Sequence, residues 1–456
     1  MLDDTIAAIA TPLGRGGLAI VRVSGPDALA VLDRCFVPAG KQAPRPATAL
    51  SHTVHYGHIV LRGGVVDEVL ATVLRAPRTY TREDMVEVSC HGGSLPAKLV
   101  LDAVLAAGAR PAEPGEFTRR AFLHGRLDLT QAEAVADVIQ AQTELALAAA
   151  NEQLAGRLSR RINAVRDELL HVLAHIEAQI DFPDEDLEPQ TREVLLRRLE
   201  TGAASMDTLL RTADEGQILR RGLRAAIVGR PNVGKSSLLN QLLGHDRAIV
   251  SPLPGTTRDT IAETANVRGL PVVFVDTAGL RETPDALEHE GVRRTRDTAA
   301  RAELVLHVLD CSEPWGPEDA RYLAEFSGRK RLLIGNKTDL PSRLELPAPS
   351  DNKLVRVSCL TGAGIEELKD AIRDLVWTGA VGAEMAEAAI NARHQNALAR
   401  AREATGQTLA AMRERLSYDL VAVDLRSAVN ALGEVVGKTF TDDLLDTIFS
   451  QFCIGK

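Results

Sequence analysis

Hydrophobic positions along this 456-residue chain change period several times. Up to about residue 118, short apolar runs are bounded by Gly, Pro and Thr. LAIVRVSG (from Leu18), HTVHYGHIVL (from His52) and VVDEVLATVLRAP (from Val65) predict strands, and PAKLVLDAVLAAGA (from Pro96) predicts a helix. An α+β domain of about 120 residues follows from that mixture. Between Pro114 and Pro183 there is no proline, and Val165, Leu169, Val172, Ile176 and Ile180 recur at helical spacing. Asp181-Phe-Pro-Asp-Glu-Asp interrupts this pattern, and TREVLLRRLETGAASMDTLLRTA resumes it. From about Gln217 to Thr378, apolar runs ending in polar or glycine residues alternate with helical stretches. RAAIVG, VVFVDTAG, LVLHVLDCS, RLLIGNKTD and LVRVSCLTG predict a parallel sheet covered by helices on both faces. After Gly379 the helical period returns, in EMAEAAINARHQNALARAREATGQTLAAMRERL, SAVNALGEVVG and DDLLDTIFSQF. The expected architecture is multidomain. Residues 1–118 form an α+β domain, and an all-α domain in two segments, 119–216 and 379–456, encloses an inserted α/β domain at 217–378. No internal repeat is evident.

Composition narrows the function. Lys and Arg number 53 against 62 Asp and Glu, a formal charge of −9, so no broad field attracts nucleic acid or an anionic membrane. Nine Phe, four Tyr and two Trp are too few for an extended base-stacking platform. Five dispersed cysteines without a C-x-x-C pair argue against a zinc ribbon or disulfide framework and fit a reducing, cytoplasmic setting. The acidic start MLDDTIAAIATPLG does not read as a signal peptide, and no apolar run approaches a membrane span. The final CIGK is wrong for prenylation.

Chemistry is concentrated in the sheet region. Gly229-Arg-Pro-Asn-Val-Gly-Lys-Ser236 fits G-x-x-x-x-G-K-[ST] between a strand and a helix. Its backbone N–H groups cradle phosphates, Lys235 neutralises β/γ charge, and the Ser236 hydroxyl ligates Mg²⁺. Asp276-Thr277-Ala278-Gly279 ends a strand, where Asp276 reaches Mg²⁺ through water and the Gly279 N–H approaches the γ-phosphate. In Asn336-Lys337-Thr-Asp339, a buried Asp339 carboxylate accepts from guanine N1–H and its exocyclic amine, which adenine cannot match. Ser358-Cys359-Leu360-Thr-Gly362 supplies the loop over the base. Gly255-Thr256-Thr257-Arg-Asp259 occupies the place of a γ-phosphate-sensing switch, with Thr257 as second Mg²⁺ ligand. Together these look like a translation-factor-class GTPase. Leu280 stands where a water-positioning glutamine is expected, so another group must do that work, and Glu282, Asp285, Glu288 and Glu290 are near. Asn232 can hold a monovalent cation against the phosphates, as an arginine finger would neutralise them.

Beyond the GTPase motifs, the chain contains ATPLGRGGLAIVRVSG, EVSCHGG from Glu87, RPAEPGEFTRRAFLHGRLDLTQAEAVADVI from Arg110, and the terminal FCIGK. With these it resembles the MnmE (TrmE) family of bacterial tRNA-modification GTPases over essentially its whole length. The resemblance implies a folate-binding N-terminal domain that forms a homodimer, and GTP hydrolysis stimulated by K⁺. It implies a nucleotide contact set of Asn232, Val233, Gly234, Lys235, Ser236, Ser237, Ser251, Pro252, Leu253, Pro254, Gly255, Thr256, Thr257, Asp276, Thr277, Ala278, Gly279, Asn336, Lys337, Asp339, Ser358, Cys359 and Leu360. K⁺ ligands would be Asn232, Ser251, Leu253 and Thr256, and Glu288 would position the attacking water. Arg22, Glu87, Arg126 and Lys456 would contact a tetrahydrofolate derivative, and Cys453 would take part in modification. His91 is expected to be structural. The implied reaction places a carboxymethylaminomethyl or aminomethyl group on carbon five of a wobble uridine in tRNA. It involves a flavoprotein partner of the MnmG (GidA) family that carries FAD and uses NADH. Competing readings are a ribosome-assembly or regulatory GTPase, which shares the G domain but not the flanks, and a scaffold with a degenerate nucleotide pocket.

Overall fold

The computed structural model describes residues 4–12, 14–40, 44–182, 192–244, 263–275, 302–326, 328–347, 353–377 and 390–456. The chain divides into two compact units. One comprises Met1–Ala136, Ser159–Arg166 and Val429–Lys456, and the other Asp137–Leu158 and Asp167–Ala428.

In the first unit, strands β1 (Ile6–Ile9), β2 (Leu18–Ser24), β3 (Phe36–Pro38), β4 (Thr53–Leu61), β5 (Gly64–Leu74), β6 (Met85–His91) and β7 (Arg110–Pro111) form one sheet. Their order is β3-β4-β5-β6-β2-β1-β7, antiparallel except for the short β1–β7 pair. Period-two alternation turns Val21, Val23, Val86, Val88, Val69 and Val73 to one face. There they pack with Val31 and Leu32 of helix α1 (Ala28–Cys35) and Val100 and Val104 of α2 (Ser94–Ala106). The same alternation turns Arg22 and Glu87, directly opposed in the β2–β6 register, to the other face. At the Met85 end that second face is covered by Phe117 of α3 (Glu116–Leu123), in a cluster with Ile6, Ala8, Met85 and Tyr80. Burying Phe117 completely contributes about 1.5–3 kcal/mol.

Helices α4 (Leu129–Gln140), α5 (Glu144–Leu154), α6 (Arg157–Asp181), α7 (Arg192–Arg211) and α8 (Ala213–Arg221) follow. The α6 helix carries the predicted stripe, with Val165, Leu169, Val172 and Ile176 buried and Ile180, near its end, half-buried.

In the second unit, β8 (Leu223–Val228), α9 (Lys235–Leu243), β9 (Glu263–Val267), β10 (Leu270–Phe274), β11 (Leu304–Asp310), α10 (Pro317–Glu325), β12 (Lys330–Asn336), β13 (Leu354–Arg356) and α11 (Ile365–Val376) build the second sheet and its cover. Strand order is β13-β12-β11-β8-β10-β9. Five strands are parallel, as the apolar runs predict, but β9 runs antiparallel to β10. The cause is local. Arg268 at φ 54° and Gly269 at φ 89° make a two-residue hairpin turn, closed by Gly269 N–H donating to Asn266 Oδ1 at 2.8 Å. The sheet is therefore mixed rather than wholly parallel.

Helices α12 (Ala392–Arg413), α13 (Tyr418–Val436) and α14 (Asp442–Phe449) complete the described chain. Within the second unit, α12 packs along α7, with Arg402–Asp207 at 2.9 Å and Arg413–Glu200 at 2.6 Å across the pair. Such surface pairs fix register more than they add stability.

Candidate nucleotide site and its flanking cationic cluster

The phosphate loop begins where β8 ends. Gly229 has φ +145°, and a Cβ there would collide with the Val308 carbonyl of β11. Gly234 has φ +98°, and its Cβ would strike the Asn336 amide. Only glycine lets the loop lie so close to its neighbours. Between them Asn232 adopts left-handed φ 60°, leaving its side chain exposed and without a hydrogen bond among the described residues. Lys235 opens α9 and folds back over the loop, donating to the carbonyls of Gly229 at 3.0 Å and Arg230 at 2.6 Å. Burial holds its amine below the ordinary lysine value. A phosphate is the group that best compensates a cation so placed, at a helix N-terminus.

Asn336, at the end of β12, joins the two sides of the site. Its Nδ2 donates to the Val233 carbonyl at 2.8 Å, and its Oδ1 accepts from Cys359 N–H at 3.0 Å. Lys337, at φ 64°, pairs with the buried Asp310 of β11 at 2.6 Å. Burial alone would raise the Asp310 carboxyl, but hydrogen bonds from Lys337 and Ser312 prevail and hold it below the usual range. Asp339 accepts from Ser358 Oγ at 2.5 Å. The sequence reading has this carboxylate buried, yet it is exposed, because it stands three residues beyond β12 where the loop opens to solvent. Cys359 is buried and its thiol is pushed up to about 11 by burial and by Asp339, so its backbone N–H, not its sulfur, serves the site. Leu360 is fully presented to solvent at 83% exposure.

Two contributors were not singled out from sequence. Asp310 fixes Lys337, and its position at a strand's carboxyl end was the available signal. Arg230 pairs with fully buried Asp319 and with Glu313, both at 3.0 Å, which ties the phosphate loop to α10 and the turn before it. Ser251, Pro252, Leu253, Pro254, Gly255, Thr256, Thr257, Asp276, Thr277, Ala278, Gly279 and Glu288 lie outside the described residues.

In the other unit, Arg22 donates through Nε and NH2 to one oxygen of Glu87, at 2.9 and 2.7 Å, and through NH1 to the Gly455 carbonyl at 3.3 Å. Gly455 has φ +93°, and a Cβ there would lie 2.5 Å from the Ile9 carbonyl, so the final residues run tightly beside β1. Phe117 N–H donates to the Lys456 carbonyl at 3.2 Å and Gly115 N–H to that of Cys453 at 3.4 Å. Burial, then the Arg22 charge, hold the Lys456 amine below the ordinary value, against the pull of Glu87 and Cys453. Arg126 approaches the same place from the side. Its guanidinium carbon is 4.7 Å from the Tyr80 ring centroid, and that of Arg22 is 5.3 Å from it. Arg22 and Lys456 thus share the neighbourhood of one carboxylate, Glu87, and Arg126 joins Arg22 on the Tyr80 ring. Cys453 itself is exposed, whereas the other four cysteines are buried. His91 donates its backbone N–H to Asp67 at 2.8 Å and pairs with it through Nδ1 at 2.7 Å, which raises the imidazole pKa.

Beneath this cluster lies a charge network that sequence reasoning missed. Arg120 is completely buried, bonded to Asp4 at 2.6 Å, Glu83 at 3.0 Å and Glu116 at 2.9 Å, and Arg110 adds bonds to Asp4 and Glu116. Glu83 also accepts from Ser24 Oγ at 2.7 Å. No helix among the described residues is long and apolar enough to cross a membrane, and no group of His, Cys, Asp and Glu among them could hold a metal ion.

Comparison with known proteins places this geometry in a family. A family model described as the MnmE helical domain matches residues 129–453, and one described as the GTP-binding protein TrmE N-terminus matches residues 5–126. The chain is 50% identical over 463 residues to the tRNA modification GTPase MnmE of Chloroflexus aurantiacus, covering 100% of both chains. It is 48% identical over 459 residues to that of Geobacter metallireducens, again covering 100% of both. With that of Geobacillus kaustophilus it shares 48% identity over 461 residues and 99% of each chain. Carrying the phosphate loop, the base-recognition strand end and the cationic cluster on a chain matched from end to end, this protein belongs to the MnmE (TrmE) family of tRNA modification GTPases.

Proposed function

We propose that this GTPase hydrolyses GTP to drive the modification of tRNA, in which a carboxymethylaminomethyl or aminomethyl group is added to carbon five of wobble uridine. The observation that carries the nucleotide half is Asn336, which bonds the phosphate loop and the base loop at once. Lys235 is the group that offsets charge on the β/γ-phosphates, and Asp339, braced by Ser358, selects guanine. Water attacks the γ-phosphorus, the bond to the β–γ bridging oxygen breaks, and GDP and phosphate leave. Glu288 is the residue that positions that water.

The donor chemistry fits the expected ions. Ser236, with Thr257, would hold Mg²⁺, which spreads phosphate charge when bound. Asn232, whose amide oxygen has no competing donor among the described residues, would hold K⁺ with Ser251, Leu253 and Thr256. Arg22, Glu87, Arg126 and Lys456 fit a tetrahydrofolate derivative, because a pterin edge suits a carboxylate and an anionic tail suits cations. Cys453, exposed beside Lys456, belongs to the modification site. The chain acts in the cytoplasm as a homodimer with an FAD-carrying flavoprotein of the MnmG family. It is organised as segments 1–118, 119–216, 217–378 and 379–456.

Mass spectrometry of wobble nucleosides tests this reading. A strain lacking the gene should lose the modified uridine and regain it with the wild-type chain. Cys453→Ser should fail to restore it, and Glu288→Ala should fail while abolishing GTP turnover. An unchanged nucleoside profile on deletion would overturn the proposal.

A further inference from the structure

Helix α9 opens on the phosphate-loop lysine, and further along it breaks its own apolar pattern. Leu238 and Leu242 are buried in the core that also holds Val357, Cys359 and Ile365. Position 241, three residues after Leu238, lies on that same face, yet it is a half-buried glutamine. Its Nε2 donates to the Cys359 carbonyl at 2.8 Å. The N–H of Cys359 already donates to Asn336 Oδ1 at 3.0 Å, and its thiol is buried. Cys359 is therefore held by both of its main-chain groups and by its side chain, while the next residue, Leu360, stands in solvent. On its other side is Ser358, whose hydroxyl braces Asp339 at 2.5 Å. Ser358 is itself clamped within the loop. Its N–H donates to the Ala363 carbonyl and its carbonyl accepts from Gly362 N–H, both at 2.8 Å. A displaced Cys359 would carry this braced turn with it, and with the turn the hydroxyl that holds Asp339.

We infer that Gln241 is a positioning residue for base selection. It fixes the base loop against the phosphate helix, and so sets where the Asp339 carboxylate stands relative to the phosphates. Gln241 acts through Cys359 and Ser358 rather than on the nucleotide itself. The position requires a hydrogen-bond donor, because the group it meets is a carbonyl. A carboxylate there would set two acceptors against each other. Asn336 holds the same residue from the N–H side, so loss of Gln241 loosens the loop without freeing it. The inference rests on the reading of Asp339 as the guanine-selecting group.

Calorimetric titration of the full-length protein with GDP and, separately, inosine diphosphate tests this. Inosine lacks the exocyclic amine, so the ratio of the two affinities reports how well Asp339 meets that amine. Gln241→Leu, which keeps the bulk and loses the donor, should weaken GDP about fivefold, the net effect of one hydrogen bond. Inosine diphosphate should weaken less, so that the ratio falls about twofold or more. Gln241→Glu should lose at least as much. Gln241→Lys, which keeps a donor, should hold both the GDP affinity and the ratio within about twofold of wild type. Unchanged GDP affinity in Gln241→Leu, equal weakening of the two nucleotides, wild-type behaviour in Gln241→Glu, or a loss in Gln241→Lys matching that in Gln241→Leu would each overturn the inference. A wild-type chain that binds GDP no better than ADP would instead overturn the guanine reading of Asp339, and this one with it.

Discussion

The side-chain amide of Asn336 and the main-chain carbonyl of Val233 meet at 2.8 Å, although 103 residues separate them. The same amide receives Cys359 N–H through its oxygen, so one buried side chain holds two loops in a single geometry.

Replacing Asn336 with Ala should therefore damage both halves of the nucleotide site together. It leaves the Val233 carbonyl and the Cys359 N–H without their partner, at about 1–3 kcal/mol each. Fluorescent-nucleotide titration should show GDP and GTP affinity falling about tenfold or more. Unaltered affinity would mean that the tie between the loops is dispensable.

Asp339→Asn should exchange specificity rather than abolish binding. The amide presents a donor where guanine offers its exocyclic amine, and xanthine offers an oxygen there instead. GTP affinity should fall by ~10³-fold or more and xanthosine triphosphate should bind better than GTP. Competition titration reads both. Because Asp339 is open to solvent in the fold, the thermal midpoint should not move, which separates this outcome from misfolding.

Acid should destabilise the first unit through its buried ion network. Burial alone would raise the carboxyls of Glu116 and Asp4, yet their hydrogen bonds to Arg110 and Arg120 hold both below their ordinary values. A carboxyl depressed in the fold binds more protons when unfolded. The stability it contributes is thus present above its ordinary value, 4.5 for Glu116, and is lost as pH falls through the folded value. Thermal unfolding followed from pH 7 to pH 3 should show a steep loss beginning near 4.5. Glu116→Gln should be less stable at pH 7 but lose less on acidification, and an identical slope in wild type and variant would contradict the assignment.

The geometry of the phosphate loop was legible because such a motif places residue types at fixed spacing next to a strand end. Gly229, Gly234, Lys235 and Asn336 stand within a few residues of the elements that place them. Strand β9 was not legible. Glu263-Thr-Ala-Asn-Val267 lacks an apolar run, and its pairing comes from the Arg268–Gly269 turn. Arg120 was equally hidden. In FTRRAFL a second arginine reads as a solvated helix face, and its burial depends on carboxylates 4, 37 and 116 residues away. Tyr80 gains its place only when residues 22, 118 and 126 converge on it, which no local pattern encodes. Helices α4, α6 and α13 each contribute to both compact units, a division that their continuous helical period does not reveal.

The contact between Arg22 and Gly455 spans 433 positions. At ~5–20 residues per second of synthesis, the Arg22–Glu87 side of the cationic cluster leaves the ribosome tens of seconds before Gly455 and Lys456 exist. A nascent chain can fold its first sheet early and still lack the residues that finish the cluster. A product of a broken message that runs past the phosphate loop but stops short of Ile454 keeps that loop and lacks the Gly455 carbonyl that Arg22 meets. Completion of that cluster thus waits on the synthesis of Gly455, however early its first sheet folds.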